Sequence, residues 1–198
     1  MKTKSKALLM TLCAVLLVAA SVLGTMAYLT STTGPVTNTF SIGKINITLD
    51  EAKVDKYGVA VTPAERGNGN EYKLVPNHEY KKDPTVHVKG DSENAYIFVK
   101  VENGIAAIEA AGTTTIASQM TAKGWQALDG VANVYYQEYT KQNTDKDFIV
   151  FDNFKIKDGV TETQLENYQT ASITITAYAV QQDGFADAKE AWSKTFGA

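Results

Sequence analysis

The chain has 198 residues, 44% hydrophobic and 21% charged, with a formal net charge of −3 and one cysteine. That length suits one domain with a sizeable core. The acidic balance argues against nucleic acid or anionic membrane as a partner.

Lys2, Lys4 and Lys6 precede a mostly apolar run from Ala7 to Leu23, which Gly24, Thr25, Met26 and Ala27 follow. This is the order of a secretory signal peptide. The lysines stay on the cytoplasmic side, the apolar helix enters the export channel, and small side chains at Thr25 and Ala27 fit the peptidase pockets. Cleavage is expected between Ala27 and Tyr28, assigning 1–27 to the signal peptide and 28–198 to a single secreted domain. The apolar run is just long enough for an uncleaved anchor, but the Ala-x-Ala-like rule is met and no lysine or arginine follows as a stop-transfer signal. Cys13 follows Leu12, where a lipoprotein signal needs a small residue. Cleavage would leave 171 residues with a net charge of −6 and no cysteine. Stability then has to come from an ordinary core, and no stable membrane span is expected after cleavage.

From Thr39 to Leu49 the side chains alternate with one slip. Phe40 and Ile42 share one parity; Ile45, Ile47 and Leu49 share the other. A bulge at Gly43 and Lys44 would bring all five onto one face of a strand. Residues 50–70 turn polar, with Pro63 and the run Gly67 to Asn70, and read as a loop with at most a short strand around Val59 and Val61. Further strands are expected at 85–89, 95–102, 131–139, 148–157 and 171–180. Tyr96 to Val99 is apolar on both faces, as a strand covered on both sides would be. Ile173, Ile175, Ala177 and Ala179 alternate with Ser172, Thr174, Thr176 and Tyr178, the pattern of a half-buried sandwich strand. Two short helices interrupt the strands. Residues 115–123 have threonines to cap the start and Gly124 beyond the end; residues 183–194 line up Phe185, Ala188 and Trp192. The expected fold is mainly β, an antiparallel sandwich with two short helices after the signal-peptide helix.

Motifs for chemistry are incomplete. His78 and Glu79 begin a His-Glu-x-x-His zinc motif, but Lys82 stands at the second histidine position. The other histidine, His87, alternates with Val86 and Val88 on an expected solvent-facing surface, and both histidines read as ordinary surface residues. Asn143, Asp145 and Asp147 have calcium-loop spacing, but Phe148 replaces the glycine and Phe154 the bidentate glutamate. That segment reads as a solvated turn. Gly67 to Asn70 lacks the residues of a dinucleotide or phosphate loop and reads as flexible chain. No Gly-x-Ser-x-Gly elbow occurs. Tyr135, Tyr136 and Tyr139 fit strand packing better than sugar stacking. No catalytic residue, cofactor or metal site is expected.

The junction Gly24-Thr25-Met26-Ala27-Tyr28-Leu29-Thr30, then Asn38-Thr39-Phe40-Ser41-Ile42-Gly43 and Lys44-Ile45-Asn46-Ile47-Thr48-Leu49, resembles exported Bacillota proteins with SipW-type signals, the TasA biofilm fibre protein and camelysin (CalY) among them. The likeness is looser over Tyr72 to Pro76, Asp83 to Val86 and the last strand and helix, and Asn77 stands where such proteins often have glycine. The resemblance implies a specialised signal peptidase as export partner, a jelly-roll-like sandwich, and a role in the extracellular matrix or at the cell surface. It also implies self-association into fibres by lending the N-terminal strand, here Phe40, Ile42, Ile45, Ile47 and Leu49, to the next subunit; pairing of that strand within its own subunit is the alternative. Two other functions compete. One is a monomeric, adhesin-like surface binding module; the other is a camelysin-type metallopeptidase, for which the incomplete His78-Glu79 motif gives no residue basis.

Overall fold

The structure is a computed structural model and describes residues 44–197. The expected signal peptide, its expected cleavage site at Ala27 and Tyr28, and Phe40 and Ile42 of the expected assembly strand lie outside the described residues.

The first sheet is antiparallel with strand order β2-β1-β4-β8: β1 (Ile47–Ala52), β2 (Arg66–Gly67), β4 (Thr85–Val88) and β8 (Lys146–Ile149). The second, also antiparallel, runs β10-β5-β7-β6: β5 (Ala95–Asn103), β6 (Gln126–Ala127), β7 (Val134–Tyr139) and β10 (Ile173–Gln181). A small ribbon pairs β3 (Glu79–Lys81) with β9 (Asn153–Lys155). Val86 and Val88 of β4, Phe148 of β8, and Ile97, Val99 and Val101 of β5 meet in one buried cluster, against which Ile45, Ile47, Leu49, Ile173 and Ile175 pack. The fold is a mainly β, antiparallel sandwich.

Helices close the ends and the outer face. α1 (Ile116–Ala122) is capped by Thr115, whose hydroxyl accepts from Ser118 N, and ends at Gly124, whose φ of +88° lies in the left-handed region that glycine adopts freely. Immediately after it, Trp125 is buried and its indole N–H donates to Ile149 O at 2.9 Å. α3 (Ala188–Phe196) covers the outer face of the second sheet, where Tyr96, Phe98 and Val180 pack on Ala191 and Trp192. This second cluster explains why β5 is apolar on both faces.

Several expectations need correction. Among the described residues there are three α-helices where two were expected, because α2 (Glu162–Glu166) forms behind a capping box in which Thr161 and Gln164 each bond the other's backbone N–H. The strand expected over 148–157 is two strands, β8 and β9, with the buried pair Val150 and Phe151 between them. The strand expected from Val131 begins at Val134, and the last helix begins at Ala188 with Asp187 as its cap rather than Asp183. No strand forms around Val59 and Val61; a single bridge joins Val54 and Ala60, and Val59 is exposed.

Candidate functional site

Backbone directions in the two sheets can be followed residue by residue, since in an antiparallel ladder alternate residues turn both polar groups toward the same neighbour. In β10, Gly104 N donates to Ser172 O and Gln182 N to Asn94 O, so the even-numbered residues face β5. The N–H and C=O groups of Ile173, Ile175, Ala177 and Ala179 therefore point away from the sheet. β10 is the last strand of its sheet, and among the described residues nothing pairs with that edge.

The same reasoning applies to the segment leading into β1. Lys89 N donates to Asn46 O, Glu93 N donates to Lys44 O, and Thr48 pairs with His87, so the even residues face β4. Ile45, Ile47 and Leu49 turn their backbone groups the other way, and β2 pairs only with Glu51 and Ala52. β1 and β10 approach within 8 Å between Cα atoms without forming a ladder. Two edges whose odd-numbered backbone groups have no partner among the described residues thus border one seam.

A groove of about 1430 Å³ is lined by Leu49 to Glu51 of β1 and by Ser172 to Ile175 at the start of β10, with Tyr72, Leu74, Leu165 and Tyr168 adding apolar surface. The Gly67 to Asn70 run, expected to be flexible chain, is anchored as part of this wall. Asn70 Nδ2 donates to Glu51 Oε1 at 2.8 Å and to Ala52 O at 2.9 Å, while Val54 N donates to Asn70 Oδ1 at 3.0 Å. Glu51 also pairs with Lys82 Nζ, and both charged side chains are buried, 5% and 8% exposed. Beside them Tyr72 donates to Lys81 O at 3.0 Å; burial, reinforced by the Glu51 charge, holds its phenol well above the usual tyrosine range. Among the described residues, no buried side-chain polar atom lacks a hydrogen-bond partner.

The outer face of the first sheet carries a second polar group. His87 was expected to be an ordinary surface residue; instead its ring bridges three strands, with Nδ1 2.6 Å from Asp147 Oδ1 and Nε2 3.0 Å from Asp50 Oδ1. Arg66 Nε donates to Asp50 at 2.5 Å and its Nη1 lies 3.5 Å from Asp83. Partial burial opposes protonation of His87, but the two carboxylates outweigh it and raise its pKa above 6.5. A raised folded-state pKa means that its stabilising contribution is complete below pH 6.5 and disappears as pH rises through the raised value. We expect the melting temperature to fall between about pH 6 and 8, and His87→Ala to flatten that slope. Melts of both proteins across that range check this, and parallel slopes would contradict it.

Other residues singled out in the sequence do not converge. His78 Nε2 lies 2.9 Å from Tyr57 O and its ring packs edge-on to Tyr80. Glu79 opens a strand, whereas the zinc motif it would belong to requires a helix. Asp145 accepts from Lys89 Nζ at 2.7 Å and Gly90 N at 3.1 Å, pinning the bend before β8 to the end of β4, whereas Asp147, expected in the same turn, lies within β8 and pairs with His87. Among the described residues, no three metal-ligating side chains gather at one point. Tyr139 is buried in the main core, Tyr135 packs against that core, and Tyr136 packs on the second cluster under α3. Comparison of the chain with protein-family models, characterised proteins and solved structures gave no match.

Proposed function

We propose that the protein is a secreted structural subunit of the TasA and camelysin kind, which assembles into matrix or surface fibres by adding an N-terminal strand of one copy to the β1–β10 seam of the next. The observation that supports this reading is the β10 edge. Nine residues long, it contains no proline, no lysine and no break in its register with β5. Edge strands usually carry such devices against edge-to-edge pairing, and an edge without them is a template for another strand. The seam also suits the occupant. Phe40 and Ile42 alternate as a strand would, and the groove offers apolar side chains for alternate positions to enter. Ile45, Ile47 and Leu49, expected to be donated together with Phe40 and Ile42, pack on the core of their own chain, Ile47 and Leu49 paired with β4; signal-peptide removal at Ala27 would therefore free the shorter segment 28–43 for this exchange, and the added strand would complete a jelly-roll-like sandwich.

Hydrogen exchange tests the proposal. In assembled protein the amides of Ile173, Ile175, Ala177 and Ala179 are expected to become protected relative to dilute monomer, while those of Thr174 and Thr176, already paired with β5, change little. Assemblies in which the odd-numbered amides exchange as in the monomer would refute it. The groove also supports a second reading, a monomeric surface binding module holding a ligand against Tyr72, Leu74 and Tyr168; on that reading the protein stays monomeric throughout.

A further inference from the structure

Glu51, Lys82 and Asn70 form a cluster whose chemistry is separate from strand addition and does not depend on it. One carboxylate holds an amine on Oε2 and a carboxamide on Oε1. The charged pair is almost completely withdrawn from water. Asn70 is gripped on both sides of its carboxamide. Its Nδ2 donates to Glu51 and to Ala52 O, and its Oδ1 accepts from the Val54 backbone N–H at 3.0 Å. A nucleophile, a proton carrier and an electrophilic carbonyl with an N–H aimed at its oxygen are thus assembled in one partly buried site.

We propose that Lys82 and Asn70 condense to an intramolecular isopeptide bond, with Glu51 as the catalytic acid–base. Glu51 takes a proton from the Lys82 ammonium, and the neutral Nζ attacks Asn70 Cγ. The Val54 N–H stabilises the charge that develops on Oδ1. The C–Nδ2 bond then breaks as the attacking nitrogen gives up a second proton, which passes through Glu51 to the leaving group. One ammonia departs, one N–H remains on the new amide, and one proton remains on the Glu51 carboxyl, so atoms and charge balance without any co-reactant. Holding both partners on one carboxylate supplies the proximity that makes an otherwise slow aminolysis possible. The product ties the groove wall at residue 70 to the chain leading into β4 at residue 82. It would be a covalent staple in a protein whose one cysteine, Cys13, lies in the signal segment.

Mass spectrometry of the purified chain under denaturing conditions decides the matter. The expected mass is below that of the sequence by one ammonia, about 17 Da. Trypsin is expected to release the peptide Gly67–Lys73 joined to Lys82–Lys89, with no cleavage after Lys82. Lys82→Arg keeps the charge but not the nucleophile, and Glu51→Gln keeps the shape but not the proton carrier; each is expected to restore the full mass and separate the two peptides. An intact mass equal to the sequence overturns the proposal. So does ammonia loss confined to the peptide Gly67–Lys73, the signature of ring closure at Asn68-Gly69, and so does a cross-link that survives Glu51→Gln.

Discussion

Replacing Ala177 with proline is expected to leave a folded monomer that assembles only at higher concentration. The N–H of Ala177 points out from the free edge of β10, because the residues on either side of it are the ones that face β5. Proline is tolerated in a strand where its missing N–H would have faced away from the sheet. The loss therefore falls on the added strand rather than on the subunit. A hydrogen bond missing from a ladder that has become buried costs about 1–3 kcal/mol, so the concentration needed for assembly is expected to rise about tenfold or more. Thr176→Pro provides the contrast. Its N–H faces the β5 ladder, and the same substitution one residue earlier removes a ladder hydrogen bond and is expected to destabilise the subunit itself by about 1–3 kcal/mol. Sedimentation for assembly and thermal melts for stability separate the two effects. If Ala177→Pro assembled like the parent protein, the β10 edge would not be the acceptor.

How much of this was legible in the sequence depended on how local each signal was. β5, β10 and α1 were readable because their information lies within each segment: two-sided apolarity from Tyr96 to Val99, strict alternation after Ala171, and a threonine cap with Gly124 beyond the helix. α2 also had a local signal, the Thr161-x-x-Gln164 capping box, but its five residues bury no side chain and so lack the apolar stripe by which helices are usually recognised. The division of 148–157 into β8 and β9 has no signal in composition, since the apolar residues run on through the bend and are buried on both sides of it.

The candidate site was much less accessible. Lys82 sits beside Lys81, and a lysine pair reads as solvated surface; only the fold places it against Glu51, 31 positions earlier. Asn70 ends a glycine and asparagine run whose composition suggests loose chain, yet its carboxamide fixes that run to β1. His87 alternates with two buried valines, which correctly puts it on the outer face of its strand. The carboxylates on either side of it come from β1 and β8, 37 and 60 residues away. For His87 the partners are set by strand register, which alternation within a single strand does not encode, and for Lys82 and Asn70 by loops that the fold brings to β1. That the odd-numbered backbone groups of β1 and β10 have no partner among the described residues is likewise a property of strand order.

In the proposed assembly, residues 28–43 of one copy join the sheet of another. Electron microscopy of two forms of the chain tests it most directly, one beginning at Tyr28, as after signal-peptide removal, and one beginning at Lys44. The shorter form retains both sheets and both core clusters, and is expected to show the circular dichroism and melting of a folded subunit. We predict filaments from the chain beginning at Tyr28 and only monomers from the chain beginning at Lys44. Filaments from the shorter form, or monomers from the longer form under all conditions, would contradict the account.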